Sequence, residues 1–155
     1  MSNTDDILGL DNQLCFALYA ANRAMTARYR PLLTELGLTY PQYLVMLVLW
    51  EAAAAADIVR VSGLGERLRL DSGTLTPLLK RLEERGLVRR QRSVEDERVV
   101  TVVATADGLA MREQARSIPE RLLCSTGVAP DRLMALRDEL RSVLAQLESR
   151  APSAR

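Results

Sequence analysis

The chain carries two thiols, Cys15 and Cys124, which lie 109 residues apart. No C-x-x-C pair is present, so a metal knuckle and a thioredoxin-like motif are both excluded. In a reducing compartment two distant cysteines are either inert packing residues or a redox pair. The chain has no histidine at all. That removes His-containing zinc sites, Ser-His-Asp triads, Cys-His dyads and histidine-ligated haem. The eight glycines form neither G-x-G-x-x-G nor G-x-x-x-x-G-K, so no phosphate-cradling loop is available. No metal and no cofactor is expected.

A second chemistry is electrostatic. The net charge is +1, yet residues 1–59 carry three basic and six acidic side chains, residues 60–92 nine and four, and residues 93–155 nine and ten. A basic middle between acidic or neutral flanks is a footprint for a polyanion. Chance clustering on a solvated face would give the same count, so charge alone does not decide.

The elements that must position these groups follow from periodicity. Residues 11–36 place Leu14, Leu18, Ala21, Met25, Leu32, Leu33 and Leu36 at helical spacing, with Asp11 or Asn12 as cap and Gly37 as stop. Pro31 is expected to kink this helix or begin its last segment. Thr39 caps a second helix that runs into the alanine tract 52–56. Ile58 to Val61 reads as a minimal strand. Ser62 opens a short helix, and Asp71 or Ser72 caps a longer one with Leu75, Leu78, Leu79 and Leu82 on its apolar face. Gly86 ends it. A hairpin follows, 87–93 and 98–104 around the polar tip Val94-Glu95-Asp96-Glu97. Thr105 caps one helix reaching Cys124, Gly127 breaks it, and Pro130 starts a last helix with Leu133, Leu136, Leu140, Val143, Leu144 and Leu147 on one side. The tail from Ala151 is expected to be disordered.

Short helix, turn, longer helix and hairpin is the order of a winged helix-turn-helix, so the fold class expected is mainly α with a small β-wing. The longer helix of such a unit points its first residues at base edges in the major groove. Here those are Ser72, Thr74, Thr76 and Pro77, with Lys80 and Arg81 one turn on to reach phosphate or guanine. Arg92 lies on the first wing strand, and Arg98 just past the tip can enter a narrow minor groove. Asp96 supports the wing by orienting an arginine. Double-stranded DNA is the partner expected.

At 155 residues, 48% hydrophobic and 26% charged, the chain suits one domain with a real core. The longest apolar run, Tyr43 to Trp50, cannot span a bilayer. Met1 to Asp11 holds three aspartates and no basic residue, unlike a secretory signal. A cytoplasmic protein without membrane contact is expected.

Four stretches now carry a resemblance: Leu10-Asp11-Asn12-Gln13-Leu14-Cys15-Phe16-Ala17-Leu18-Tyr19, Leu38-Thr39-Tyr40-Pro41-Gln42-Tyr43, Asp71-Ser72-Gly73-Thr74-Leu75-Thr76-Pro77-Leu78-Leu79-Lys80, and Asp96-Glu97-Arg98. Over roughly residues 10–148 the chain resembles the MarR family, and within it the two-cysteine repressors that sense organic hydroperoxides. The resemblance implies a homodimer with 11–36 and 106–149 as dimerisation helices and 58–104 as the DNA-binding lobe, all within one domain spanning 1–155. The apolar stripes of the first and last helices permit this. A two-fold dimer reads an inverted-repeat operator, with recognition helices about 34–36 Å apart.

The resemblance further implies that Cys15 is the redox-sensing thiol, supported by Tyr29 and Tyr40. Tyr29 lies 14 residues beyond Cys15, about 21 Å along a straight helix, so it cannot reach the thiol of its own chain without a sharp break and reaches the partner's if the two helices pack antiparallel. Tyr19, one turn from Cys15, shares its face and is expected in the same pocket. Phe16, Leu14, Leu18 and Met25 would supply apolar walls that favour organic hydroperoxides. Cys124 is implied as the resolving thiol, in a disulfide between chains whose formation releases the operator. Two alternatives stay open. A repressor released by a non-covalent apolar or phenolic ligand would still respond after Cys15→Ser. A thiol peroxidase would consume many peroxide equivalents per subunit, though with no histidine base the chain is not expected to be an enzyme.

Overall fold

The structure is a computed structural model that describes residues 7–150. The expected tail from Ala151 lies outside the described residues, as does most of the N-terminal segment weighed as a signal. The elements are α1 (Leu14–Thr34), α2 (Tyr40–Ala55), β1 (Val59–Arg60), α3 (Val61–Leu68), α4 (Ser72–Glu84), β2 (Val88–Arg92), β3 (Val100–Ala104), α5 (Ala106–Ala115), α6 (Ile118–Thr126) and α7 (Pro130–Ser149). The arrangement is mainly α with a small antiparallel wing, as the element order predicts. Among the described residues no helix is long and apolar enough to cross a membrane.

Two compact units are distinguished, one ending at Ile118 and one beginning at Pro119. The core of the first is built on α2, which touches α1, α3, α4, α5 and β3. That central place explains why α2 is apolar on nearly every side: Tyr43, Val45, Met46, Val48, Leu49 and Trp50 are all buried. Leu64 of α3, the Leu75, Leu79 and Leu82 stripe of α4, and Val88 and Val102 of the wing are buried with them. In the second unit α7 has no buried residue, and Leu136, Leu140, Val143 and Leu147 stand exposed along it.

Local chemistry sets most boundaries. Thr39 caps α2 in a reciprocal box: its hydroxyl accepts the Gln42 N–H, and the Gln42 side chain accepts the Thr39 N–H. Ala56 ends α2 in the left-handed conformation, so the alanine tract lengthens the helix. Asp71 Oδ1 accepts the Thr74 N–H at 2.7 Å and starts α4. Removing that acceptor with Asp71→Ala is expected to cost about 1 kcal/mol of unfolding free energy, read from urea denaturation; a change within a few tenths would mean that the cap holds nothing. Gly37, Gly86 and Gly127 take positive φ at the three breaks assigned to them.

Five boundaries differ from the sequence expectation. Asp11 and Asn12 do not cap α1. Leu10–Asn12 form a 3-10 turn, and Gln13 folds back to donate to the Ile7 and Gly9 carbonyls, so the helix starts at Leu14. Of the two expectations for Pro31, it does not begin a separate segment: α1 runs through it to Thr34. Ser62 does not open α3: extended Arg60 precedes a helix that begins at Val61, without a side-chain cap. The single helix expected from Ala106 to Cys124 is two, α5 and α6, separated at Arg116-Ser117. Pro119 is the reason, because it has no N–H to bond to the Ala115 carbonyl and its ring crowds the preceding turn. Lastly, the wing is a three-stranded sheet in the order β1-β3-β2. The short strand pairs Val59 with Val102 and Arg60 with Thr101, while Val88 to Arg92 pair with Ala104 to Val100.

Candidate functional site

On the first unit α4 buries its leucine stripe and exposes the opposite face, where Ser72, Thr74, Thr76, Pro77, Lys80 and Arg81 are all open to solvent. The hydroxyl-bearing residues occupy its first turns, and the two cations lie beyond them. Lys80 makes only a 4.0 Å approach to Glu84. An exposed polar edge backed by buried leucines is a rigid platform for reading a groove.

The wing is pinned to this helix. Glu83 at the end of α4 accepts the Arg90 backbone N–H at 2.9 Å and two further bonds from the Arg90 guanidinium, at 3.0 and 2.8 Å. Those backbone and side-chain bonds hold the Glu83 carboxyl below its usual range. Arg90 is therefore committed to Glu83, leaving Arg89 and Arg92 exposed. Ser93 Oγ accepts the Glu95 and Asp96 N–H groups and closes the tip. Asp96 Oδ1 accepts the Arg98 N–H at 3.0 Å and lies 3.4 Å from its Nε, while 93% of the Arg98 side chain stays exposed. Arg92 reaches back to the Glu97 carbonyl at 3.4 Å. Arg85, which carried no signal in the sequence, donates to the Gly37 carbonyl, and to the Leu36 carbonyl at 3.1 Å. It thus ties the end of α4 to the chain just after α1.

Cys15 is the second residue of α1 and is exposed. Tyr29 lies three to four turns further along and is half-buried. Its ring centroid is 4.9 Å from that of Tyr40 and 5.7 Å from that of Tyr43, and Tyr43 meets Trp50 edge-on at 6.4 Å. The structure thus brings Tyr29 and Tyr40 together. Tyr43 joins them from one turn beyond Tyr40, and that spacing is its only signal in the sequence. Tyr19 does not join them. Its hydroxyl accepts from Arg23 at 2.9 Å, and the Arg23 guanidinium lies 5.5 Å from its ring centroid. Cys124 is an exposed residue of α6, in the second unit. Among the described residues no three His, Cys, Asp or Glu side chains come together to hold a metal.

Burial, and then the neighbouring Tyr40 and Tyr43, push the Tyr29 phenol up to about 12; burial raises Tyr40, and burial with Tyr40 raises Tyr43. These hydroxyls therefore stay protonated at neutral pH and remain hydrogen-bond donors. A phenol whose folded pKa exceeds its ordinary 10.0 stabilises the fold fully below pH 10, and that contribution is lost as pH rises toward 12. In an ultraviolet titration of the folded protein, Tyr29→Phe is expected to remove the highest phenolate step; a step that persists there would assign it to another tyrosine.

The first unit matches a family profile described as transcriptional regulator SarA/Rot over residues 27–114. The chain is 46% identical over 150 residues to the organic hydroperoxide resistance transcriptional regulator of Bacillus subtilis strain 168, covering 97% of this chain and 99% of that one. It is 48% identical over 155 residues to the HTH-type transcriptional regulator TtmR of Methylorubrum extorquens strain PA1, covering 99% and 77%. Among solved structures it is similar to AbfR of Staphylococcus epidermidis. Reduced AbfR bound to DNA matches with a TM-score of 0.72 at 34% identity, covering 94% of this chain and 99% of that one. The disulfide form of AbfR gives 0.61 at 33% identity, covering 94% and 97%.

Proposed function

The chain belongs to the MarR family of winged helix-turn-helix transcriptional regulators, and on that premise we propose that it is a DNA-binding repressor that senses organic hydroperoxides through Cys15. The DNA-reading surface is the exposed face of α4, with Ser72, Thr74, Thr76 and Pro77 toward base edges and Lys80 and Arg81 toward phosphate or guanine. Arg92 and Arg98 extend the contact from the wing, and Asp96 holds the tip. Two copies place two such surfaces on an inverted repeat. The surface that joins them comes from residues 11–36 and 106–149, within a single functional domain. In one protomer Leu14, Leu18, Leu136, Leu140 and Leu147 are exposed, and a second copy covers them.

The observation that carries the sensing role is the pairing of an exposed Cys15 with two neutral phenols out of its own reach. Fourteen residues of helix separate Cys15 from Tyr29, about 21 Å. The Tyr29–Tyr40 donors are therefore offered to a thiol from the partner subunit, whose thiolate they stabilise. The thiolate attacks one peroxide oxygen, the O–O bond breaks, and the leaving alkoxide takes a proton to become an alcohol. Cys15 is left as sulfenic acid, oxidised by two electrons while the peroxide is reduced by two. The Cys124 thiol of the other chain then displaces water from the sulfenic sulfur to give a disulfide. Closing that bond needs Cα atoms within about 7 Å, and the helix movement this requires respaces the two α4 helices and releases DNA. The existence of reduced DNA-bound and disulfide forms of AbfR supports this two-state reading.

The test is non-reducing denaturing electrophoresis, with thiols counted by mass, after one equivalent of an organic hydroperoxide. The expected product is a covalent dimer. Cys124→Ser is expected to leave Cys15 oxidisable and abolish that dimer. An unchanged monomer with both thiols free would overturn the reading in favour of release by a non-covalent ligand.

A further inference from the structure

The end of α4 grips two different parts of the molecule. Glu83 holds the wing through the Arg90 backbone N–H and guanidinium. Arg85, two residues on, donates to the carbonyls of Leu36 and Gly37. The last carbonyls of a helix lack partners within it. At the end of α1 the Leu33 carbonyl accepts the Leu36 and Leu38 N–H groups, and the Thr34 carbonyl accepts the Gly37 N–H, all at 3.0 Å. The Leu36 and Gly37 carbonyls are taken by one guanidinium, a cation placed at the negative end of the α1 dipole. The fit is close: Gly37 has φ +63°, and a Cβ there would lie 3.1 Å from Arg85 Nη2. Two charge-assisted bonds from one planar group fix direction as well as distance. Arg85 itself is exposed, so this grip holds no core together.

The turn that Arg85 grips is a stiff joint. Leu36 and Leu38 are buried. The Leu38 N–H is tied back to Leu33 of α1, and the Thr39–Gln42 box locks the far side of the turn to α2. Tyr40 opens α2 three residues after Gly37, and its ring packs against Tyr29 of α1. A shift between those two rings is a shift of α2 against α1, and the joint between the helices must follow. α2 also packs on α4, but apolar packing is non-directional, whereas the bond pair at Arg85 sets an angle. With Glu83 tying the wing to the same end of the helix, α4 and the wing follow the joint as one body. We propose that Arg85 is the positioning residue that carries the state of the thiol-supporting tyrosines to the DNA-reading helix, by holding α4 to the α1–α2 joint. This rests on the reading of Cys15 as the sensing thiol, and it names an element whose pose both the thiol site and the DNA bias. Without the tie, α4 takes nearly the same average pose in either redox state.

The test compares operator affinity before and after oxidation by cumene hydroperoxide, at fixed salt, on DNA that the reduced wild type selects from a random pool. Thiols are counted by mass in the same samples. The wild type is expected to lose about 100-fold in affinity on oxidation, within the range of allosteric couplings. Arg85→Ala is expected to be oxidised at the wild-type rate and to the same extent, yet to lose less than about tenfold. Arg85→Met keeps the apolar stem without a donor and is expected to match Arg85→Ala; it decides the matter if the alanine variant fails to fold. Arg85→Lys keeps the charge but not the planar fork, and its ratio is expected to fall between. An undiminished ratio in Arg85→Ala or Arg85→Met overturns the coupling role. Equal loss of affinity in both redox states would assign the guanidinium to DNA phosphate, and slower oxidation of Cys15 with the ratio kept would assign it to the thiol site; either result overturns the proposal. A wild type that is not oxidised, or is oxidised and keeps its affinity, overturns the sensing role and the coupling with it.

Discussion

Cys15→Ser protein is expected to bind operator DNA as tightly as the wild type and to stay bound when an organic hydroperoxide is added, whereas the treated wild type loses about 100-fold in affinity. Serine is nearly the same size as cysteine, and residue 15 is exposed in the protomer, so the substitution opens no cavity in the core. On the proposed mechanism it removes the step that couples oxidant to structure, because a hydroxyl cannot become a sulfenic acid or a disulfide. The magnitude follows from the coupling that a two-state regulator commonly shows, about 1–3 kcal/mol or up to roughly 150-fold between effector and DNA. Fluorescence anisotropy of labelled operator, with and without one equivalent of hydroperoxide, measures it. The variant must be compared at fixed salt, since phosphate contacts make DNA affinity strongly salt-dependent. Release of DNA from Cys15→Ser on adding the inducer would end the redox account and leave a MarR-type repressor that responds to a non-covalent ligand.

The expectations that the structure bears out share one physical origin. Thr39, Asp71 and Thr105 as caps, and Gly37, Gly86 and Gly127 as stops, are decided within four residues of where they stand, so the sequence displays them. The buried stripe of α4 is equally local, because 3.6-residue periodicity is written in the order of Leu75, Leu79 and Leu82. Pro119 is equally local, and it divides into α5 and α6 a stretch whose helical spacing reads as one helix. What stayed hidden depends on residues far apart in the chain. Pairing of β1 with β3 joins Val59 to Val102, and no pattern in a two-residue strand names its partner. Arg85 reaches the end of α1 across 48 residues. Arg90 is one basic residue among several in β2, and its pairing with Glu83 of α4 depends on how the wing packs. Tyr19 accepts a hydrogen bond from Arg23, four residues on, a helical pair that local spacing displays, and its own O–H remains a donor.

The second large effect is on folding. Gly108→Ala is expected to destabilise the protein by about 3 kcal/mol or more, lowering Tm by roughly 6–12 °C in a domain of this size. Gly108 is the third residue of α5, and a Cβ built there would lie 2.1 Å from the Leu87 carbonyl oxygen, 3.1 Å from its carbon and 3.3 Å from Met46 Cε. Relief by movement is blocked on every side. The Leu87 oxygen accepts the Thr105 N–H at 3.0 Å. The Gly108 N–H is held by the Thr105 hydroxyl, and its carbonyl accepts the buried Trp50 Nε1–H at 2.8 Å. Shifting α5 outward by the ångström a methyl needs would stretch these bonds together and expose the indole N–H, whose partner would then be lost inside the core. The methionine tip is flexible and would yield, so shortening Met46 is not expected to rescue the variant; the conflict is between two stretches of backbone. Thermal unfolding followed by circular dichroism decides it. A Tm within about 3 °C of wild type would mean that α5 slides freely against the start of β2, and that the Trp50–Gly108 bond does not fix the helix against α2.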